Sequence, residues 1–264
     1  MEPIKVVVYG ASGRMGQEVV KAVCLDPALK LAGAVDSQVS GDSLTLPDGS
    51  GTVPFNTSLE SILNSCRPDV VVDFTVAKAT MAVVRAAAEH GVNMVIGTTG
   101  FSADDVKEIE RLALANKTGV VLAPNFALGA VLMIHLARVA AKFLDYAEII
   151  EMHHERKLDA PSGTALSTAR AMAAARGKPF IQPEGPGEAP VSRGLSVDGI
   201  SVHSVRMPGL MAHQEVILGA PGQTLSIRHD TINRECYMPG VLLAVKEVVN
   251  RQGLIYGLDT LLGL

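Results

Sequence analysis

Tryptophan is absent from this chain, and cysteine occurs only at Cys24, Cys66 and Cys236. The odd number, the wide separation and the lack of any C-x-x-C or Cys/His spacing argue against a disulfide framework and against a metal site. No window approaches the roughly 18 unbroken apolar residues that a membrane span needs. The opening MEPIKVVVYG lacks the basic stretch and long apolar run of a signal peptide. A cytoplasmic setting is therefore expected, or a plastid-like compartment if the chain is a processed plant form. Net charge is -4 with acids and bases interspersed, so the basic stripe left by phosphate-backbone binding is missing. Neither nucleic acid nor a membrane is an expected partner. What remains is a chain of 264 residues, long enough to bury a sizeable core as one large or two modest domains without covalent staples.

The first half alternates β-branched runs with helix-like stretches: IKVVVY, RMGQEVVKAVCL, LAGAVD, then, after a Gly/Ser/Asp-rich loop around 37–54, DVVVDFT, KATMAVVRAAAEHG, NMVIGTTG, an amphipathic stretch from Ala103 to Asn116, and GVVLAPN. Short strands that are apolar throughout, each followed by a helix, signify a parallel sheet covered on both faces. The reading is an α/β fold with a Rossmann-like, doubly wound domain over 1–125. From Phe126 the rhythm changes. A helix-like LGAVLMIHLARVAAKFL leads to the strand YAEIIEMHH, a helix opening at Pro161 or Ser162, a proline- and glycine-rich loop over 178–194, and three strand-like segments, GISVHSVRM, HQEVILGA and QTLSIRHDT. The last two are separated by a plausible Pro-Gly tight turn. Consecutive strands imply an α+β domain over 126–238 with a mixed or antiparallel sheet. A C-terminal helix over 239–264 is free to pack back on the first domain.

GASGRMG places Gly10, Gly13 and Gly16 between a strand and a helix. Such glycines permit a tight turn and close approach to a pyrophosphate seated on the helix N-terminus. The G-x-x-G-x-x-G spacing is one residue longer than the commonest dinucleotide fingerprint. Its context strengthens it: the next strand ends in Asp36, about twenty residues on, where a carboxylate accepts ribose hydroxyls. That acid disfavours the extra phosphate of NADP, and Arg14 partly offsets it, so NADH and NADPH both stand. GTTG at 97–100 and APNF at 123–126 end later strands, where ligands bind in open α/β sheets; helix capping by Thr99 or Asn125 is the plainer alternative.

In HHERKLDAPSGTA, His153 and His154 end a strand, Lys157 lies beyond it, and Ser162-Gly163-Thr164 opens a helix. Backbone N–H groups at a helix start, with Ser and Thr hydroxyls, suit a carboxylate or phosphate. A lysine and an imidazolium beside them add charge-assisted hydrogen bonds. Read blandly, Ser162 is only an N-cap and the histidine pair lies on the surface. Glu155 and Arg156 read as a solvated pair. No nucleophile elbow is present, which disfavours acyl-enzyme chemistry.

GASGRMG, GTTGF, APNF and above all HHERKLDAPSGTA, in this order over nearly the whole chain, resemble the 4-hydroxy-tetrahydrodipicolinate reductase (dihydrodipicolinate reductase) family of diaminopimelate and lysine biosynthesis. The resemblance implies an oxidoreductase that uses NADH or NADPH to reduce a small cyclic dicarboxylate with loss of water, hydride going to ring C4. It implies His153 as general acid/base, Lys157 as proton donor, His154 as a substrate contact, and Ser162, Gly163 and Thr164 as holders of a substrate carboxylate. Gly10, Ala11, Ser12, Gly13, Arg14, Met15, Asp36, Gly97, Thr98, Thr99, Ala123, Pro124, Asn125 and Phe126 would contact the cofactor, and the assembly would be a homotetramer built through the C-terminal sheet. Two places depart from the family's commoner bacterial forms. Ser37 follows the ribose acid where many members carry a basic residue, and SIRHDTINRECYMPGV keeps Arg234 and Gly240 without the usual Phe-Ala pair, resembling the cyanobacterial and plant branch.

Two other readings compete. A different nicotinamide oxidoreductase on the same plan, such as an aspartate or amino-acid dehydrogenase, would differ in its substrate. A nucleotide-sensing regulator would bind cofactor without turnover, and would have no need of His153 and Lys157.

Overall fold

The computed structural model describes residues 2–39, 41–182 and 191–264. Two compact units emerge, one formed by Met1–Leu128 with Arg234–Leu264 and the other by Gly129–Asn233. Part of the loop expected over 178–194, residues 183–190, lies outside the described residues.

The first unit is a layered α/β structure. Strands β1 (Ile4–Tyr9), β2 (Leu29–Val35), β3 (Ser43–Thr45), β4 (Thr52–Asn56), β5 (Val70–Asp73), β6 (Asn93–Ile96), β7 (Gly119–Leu122) and the late strand β13 (Gly253–Tyr256) form one sheet in the order β13-β7-β6-β5-β1-β2-β4-β3. Every neighbouring pair is parallel except β3 with β4. All residues of β5 and β7 are buried, as strands covered on both faces must be. From β1 the sheet grows in both directions, to β2 on one side and β5 on the other. That reversal is the switch point beyond whose strand ends ligands bind in open α/β sheets.

Helix α1 (Arg14–Leu25) buries Gly16, Val19, Val20 and Val23, the spacing of one helical face. Gly16 is the contact that lets α1 close on the β1 turn: a Cβ there would lie 2.0 Å from the Gly10 carbonyl oxygen and 2.8 Å from the Ala11 Cα. Helices α2 (Leu59–Cys66), α3 (Ala77–Glu89) and α4 (Ala103–Asn116) also belong to this unit. α4 opens with a full capping box, Ser102 and Asp105 each bonding the other's backbone N–H.

The structure differs from the sequence expectation in two places here. The loop at 37–54 contains β3 and the start of β4, a small antiparallel pair at the sheet edge. The C-terminal stretch is not one helix: α7 (Met238–Val248) is followed by β13 and a short α8 (Leu258–Leu262). α7 has ended at Val248; Gly253, at φ +83°, opens β13, and Leu254, Ile255 and Tyr256 pair in parallel with the free edge of β7.

The second unit holds α5 (Leu128–Ala140, beginning at the junction), β8 (Tyr146–His153), α6 (Gly163–Arg176), β9 (Leu195–Val197), β10 (Ile200–Arg206), β11 (Ala212–Ala220) and β12 (Gln223–Thr231). Its mixed sheet runs β12-β11-β8-β10-β9. β8 is the central strand, antiparallel to β11 and parallel to β10. Pro221 and Gly222, the latter at φ +78°, form the tight turn between β11 and β12. One sheet face supplies Ala147, Ile149, Val202, Val216 and Leu218 to a core with Met133 and Ala137 of α5 and Ala165, Ala169 and Met172 of α6. Burial of each large side chain contributes about 1.5–3 kcal/mol. Arg176, at the end of α6, is buried and donates to the carbonyls of Ala141 and Leu144 at 3.1 and 2.8 Å, pairs with Asp145, and stacks over Phe180.

Gly16→Ala should destabilise the first unit by about 1–3 kcal/mol, the usual cost of overpacking, because the obstructing atoms are backbone. Urea unfolding measures it, and an unchanged midpoint would show that α1 can move away from the turn without loss.

Candidate active site

The carboxyl ends of β1, β5, β6, β7 and β13 carry the glycine loop, the Asp73-Phe74-Thr75 turn, GTTG, APNF and Tyr256. Gly10 takes φ +79°, and its N–H and that of Ala11 both donate to the Val35 carbonyl. The N-cap of α1 is Gly13 with no side-chain cap, unlike α2 and α4, which are capped by Ser58 and Ser102. An uncapped helix start presents orphan N–H groups and a positive dipole end. These are what a pyrophosphate requires, so the residues fit a dinucleotide cofactor. Asp36 sits at the end of β2, accepts the Ser12 N–H at 2.8 Å through Oδ2 and the Ser37 hydroxyl at 3.3 Å through Oδ1. Its carboxylate thus tethers the glycine loop and keeps lone pairs for a ribose.

The remaining expected cofactor contacts divide by exposure. Ala11, Thr98, Ala123 and Phe126 are buried. Thr98 bonds Thr80 at 3.1 Å, and Phe126 packs on Phe74 with ring centroids 5.5 Å apart. The Asn125 side chain accepts the Ala127 N–H at 2.9 Å, the local turn that the plainer reading allowed. A cleft of about 90 Å³ is lined by Thr98, Thr99, Gly100, Phe101, Pro124 and Tyr256, among others. Tyr256 was missed because β13 was read as helix. Asp73 was missed too: it is fully buried, accepts from the N–H and hydroxyl of Thr75, each at 2.7 Å, and leaves Oδ2 without a partner. Burial pushes its carboxyl above the ordinary range. The signal available was an acid ending a buried strand directly before a Phe-Thr turn.

In the second unit the chemistry gathers at the end of β8. His153 is the last residue of that strand and His154 lies past it. Alternation puts Ala147, Ile149, Glu151 and His153 on one face. The first two enter the core, so the same face carries Glu151 inward to 0 % exposure. His153 Nδ1 lies 2.5 Å from Glu151 Oε2. Arg206, opposite His153 on β10, grips both carboxylate oxygens at 2.9 and 2.7 Å. The Ser162 N–H donates to Oε1 at 3.1 Å. Sequence reading missed Glu151 and Arg206. Glu151 was discoverable as an acid on the buried face two residues before a histidine, whereas Arg206 has no local signal.

Past the strand, Lys157 pairs with Asp159 at 2.8 Å, and Arg206 also donates to the Asp159 carbonyl at 2.6 Å. The Ala160–Pro161 peptide is cis. Ser162 caps α6, its hydroxyl accepting from the Ala165 N–H at 3.2 Å. A Cβ on Gly163 would meet nothing within 4 Å, so the helix start is open there. Glu155 and Arg156 form an exposed pair, and His154 accepts the Arg156 N–H at 3.2 Å on the surface. Burial pushes the His153 imidazole below its ordinary value. Lys157 and Arg206 push the same way, and the Glu151 carboxylate opposes them. Against its own burial, the Arg206 guanidinium holds Glu151 below the usual carboxylate range, aided by Ser204 and His153.

The family profile described as "Dihydrodipicolinate reductase, N-terminus" matches residues 4–126, and its "C-terminus" counterpart matches residues 129–262. The chain belongs to the dihydrodipicolinate reductase family. It is 60% identical over 265 residues, covering 100% of both chains, to the 4-hydroxy-tetrahydrodipicolinate reductase of a Dehalococcoides mccartyi strain. It is 47% identical to the enzyme of that name from Moorella thermoacetica, over 98% of each chain. Among solved structures, dipicolinate-bound dihydrodipicolinate reductase from Paenisporosarcina sp. TG-14 superposes with a TM-score of 0.86 at 40% identity, over 97% of this chain and 98% of that one. Membership accounts for the pairing of a nucleotide-type sheet with a mixed sheet in one chain.

Because Glu151 titrates below its unfolded value, its stabilisation is complete above the ordinary carboxylate range and is lost as pH falls below that range and through its lowered folded value. The unfolding midpoint of the native protein should therefore begin to drop as pH falls below about 4.3, the ordinary Glu value, and continue to drop below it. In Glu151→Gln this component of the drop should be missing. Parallel slopes in the two proteins would show that Glu151 is not stabilised as a carboxylate.

Proposed function

We propose that this protein is a 4-hydroxy-tetrahydrodipicolinate reductase: it reduces a small cyclic dicarboxylate with NADH or NADPH and releases water. The observation that carries the reading is His153, held by a buried carboxylate that also meets the start of α6, within a chain whose family is defined over both units. When bound, the reduced nicotinamide supplies the hydride delivered to ring C4. The uncapped start of α1, with Gly10, Ala11, Ser12, Gly13, Arg14 and Met15, holds its pyrophosphate, and Asp36 its ribose. Gly97, Thr98, Thr99, Ala123, Pro124, Asn125 and Phe126, at the ends of β6 and β7, hold the nicotinamide end.

On the substrate side, the open helix start at Ser162, Gly163 and Thr164 takes one carboxylate through backbone N–H groups and hydroxyls. Lys157 and His154 supply cationic and hydrogen-bonding contacts to the substrate. The enamine-like ring left by hydride addition takes a proton from His153 or Lys157. A positioned acid of this kind contributes on the order of a hundredfold to ten-thousandfold. Before or as the hydride arrives, the C4–O bond breaks and the hydroxyl leaves as water, taking a proton that the same groups can supply.

We further propose a cytoplasmic homotetramer assembled through the sheet of the second unit. Tyr146, Ile150, Met152, Val205 and Ile217 share the sheet face opposite the helices. Ion pairs of Glu148 with Arg193 and His203, and of Asp230 with His213, surround them. Among the described residues no helix is long and apolar enough to cross a membrane.

Supplied with pyruvate, aspartate semialdehyde and the upstream synthase, the protein should oxidise NADH or NADPH, read as loss of nicotinamide absorbance. His153→Gln should lower kcat far more than it changes KM. Asp36→Ala should lower kcat/KM for NADH more than for NADPH, because only the unphosphorylated ribose offers Asp36 both hydroxyls. Cofactor binding without turnover beside a working control reductase would remove the assigned reaction.

A further inference from the structure

We propose that Glu151 is the positioning residue of this site: its carboxylate takes the Nδ1–H of His153, leaving Nε2 as the ring atom that exchanges the proton, and fixes that imidazole relative to the start of α6. The inference rests on the proposed reductase reading and adds to it a group that never touches substrate. Its basis is geometric. Glu151 is fully buried, and its two oxygens are divided between partners: Oε2 meets His153 Nδ1 and one arm of Arg206, while Oε1 meets the other arm and the Ser162 N–H. A carboxylate can only accept in these contacts. The nitrogen facing it is therefore N–H, which defines the tautomer of the neutral ring.

Two bonds from one rigid group also couple parts of the site that the chain separates. The imidazole belongs to β8 and the anion-binding N–H groups to α6, with the Lys157 loop between them. Arg206 completes the arrangement by donating to the Asp159 carbonyl, and Asp159 in turn holds Lys157. The backbone of His153 is held as well, the Met207 N–H donating to its carbonyl at 3.2 Å. The ring is left with little freedom of its own.

The charged groups facing His153 are Glu151 on its own strand, Arg206 on β10 and Lys157 in the following loop. β11 places Ala212 opposite it, and His213 pairs instead with Asp230. Of these only Glu151 favours the imidazolium. Its removal should therefore make His153 lose its proton at lower pH.

The first test uses the unaltered protein. Nitrogen-15 NMR of His153, assigned by its loss in His153→Gln, should report a protonated Nδ1 and an unprotonated Nε2 in the neutral ring. The opposite tautomer would overturn the proposal whether or not the protein turns over substrate. The second test is kinetic. In Glu151→Gln, kcat should fall about a hundredfold with KM within a few-fold. The limb of the pH profile that disappears in His153→Gln should move to lower pH. Glu151→Asp, which keeps the charge, should restore the limb toward its original position. If Glu151→Gln does not fold, Arg206→Lys keeps a cation beside the carboxylate but loses its two-pronged grip. Under the proposal it lowers kcat by loosening Glu151, with the limb retained. Variants that lose only thermal stability, with tautomer and limb unmoved, would make Glu151 a purely structural residue.

Discussion

A carboxylate removed wholly from water is costly to keep charged unless other groups replace its hydration. Glu151 meets that requirement with the Arg206 guanidinium, the Ser162 N–H and the His153 ring. Each partner arrives on a different part of the fold: β10, the start of α6 and the end of β8. Their convergence in the second unit is what replaces the hydration of the buried charge. The parallel pairing of β8 with β10, which sets Arg206 opposite His153, is thus a structural demand of the buried charge as well as a feature of the sheet. Removing one partner weakens the compensation of a charge in the interior, so changes at the site also bear on the stability of the second unit.

The first unit solves a different problem with less chemistry. Its sheet is covered on both faces, and the surface proposed for the cofactor lies at strand ends and at the uncapped first turn of α1. Gly16 brings that turn against the β1 loop, and the absence of a cap leaves its N–H groups available to an anion. Gly97 serves the same purpose nearby, since a Cβ there would lie 1.9 Å from the Phe74 ring. Close packing beneath the loops is what allows backbone to act as the recognition element.

The two faces of the second sheet are used unequally. The inner face buries aliphatic side chains but includes Gln214, whose amide donates to Thr168 at 2.9 Å, while Thr168 donates to the Thr164 carbonyl at 2.8 Å. This chain of hydrogen bonds runs from β11 into the first turns of α6, so the helix start is braced from below and tied to Glu151 through Ser162. The outer face mixes half-buried aliphatics with paired charges such as Arg228 with Asp230, a composition that suits contact with another protein surface better than a core.

Much of this was legible in the residues themselves. Apolar runs such as the VVV of 70–72 and the GVVL of 119–122 have no polar face, so they had to be interior strands. The glycines of GASGRMG and the cap at Ser162 are local chemistry, set by neighbours in the chain. The family likeness of HHERKLDAPSGTA was equally a property of sequence. The tail was misread because VLLAVKEVVN continues into LIY without a strong local stop other than Gly253. Only the open edge of β7 makes a strand of it. Likewise, the sequence placed His153 at a strand end but could not say what lies behind its ring. Arg206 is 55 residues from Glu151 along the chain, and no periodicity links them. Their meeting depends on strand order and register, which arise only when the sheet forms and excludes water from the charge it encloses.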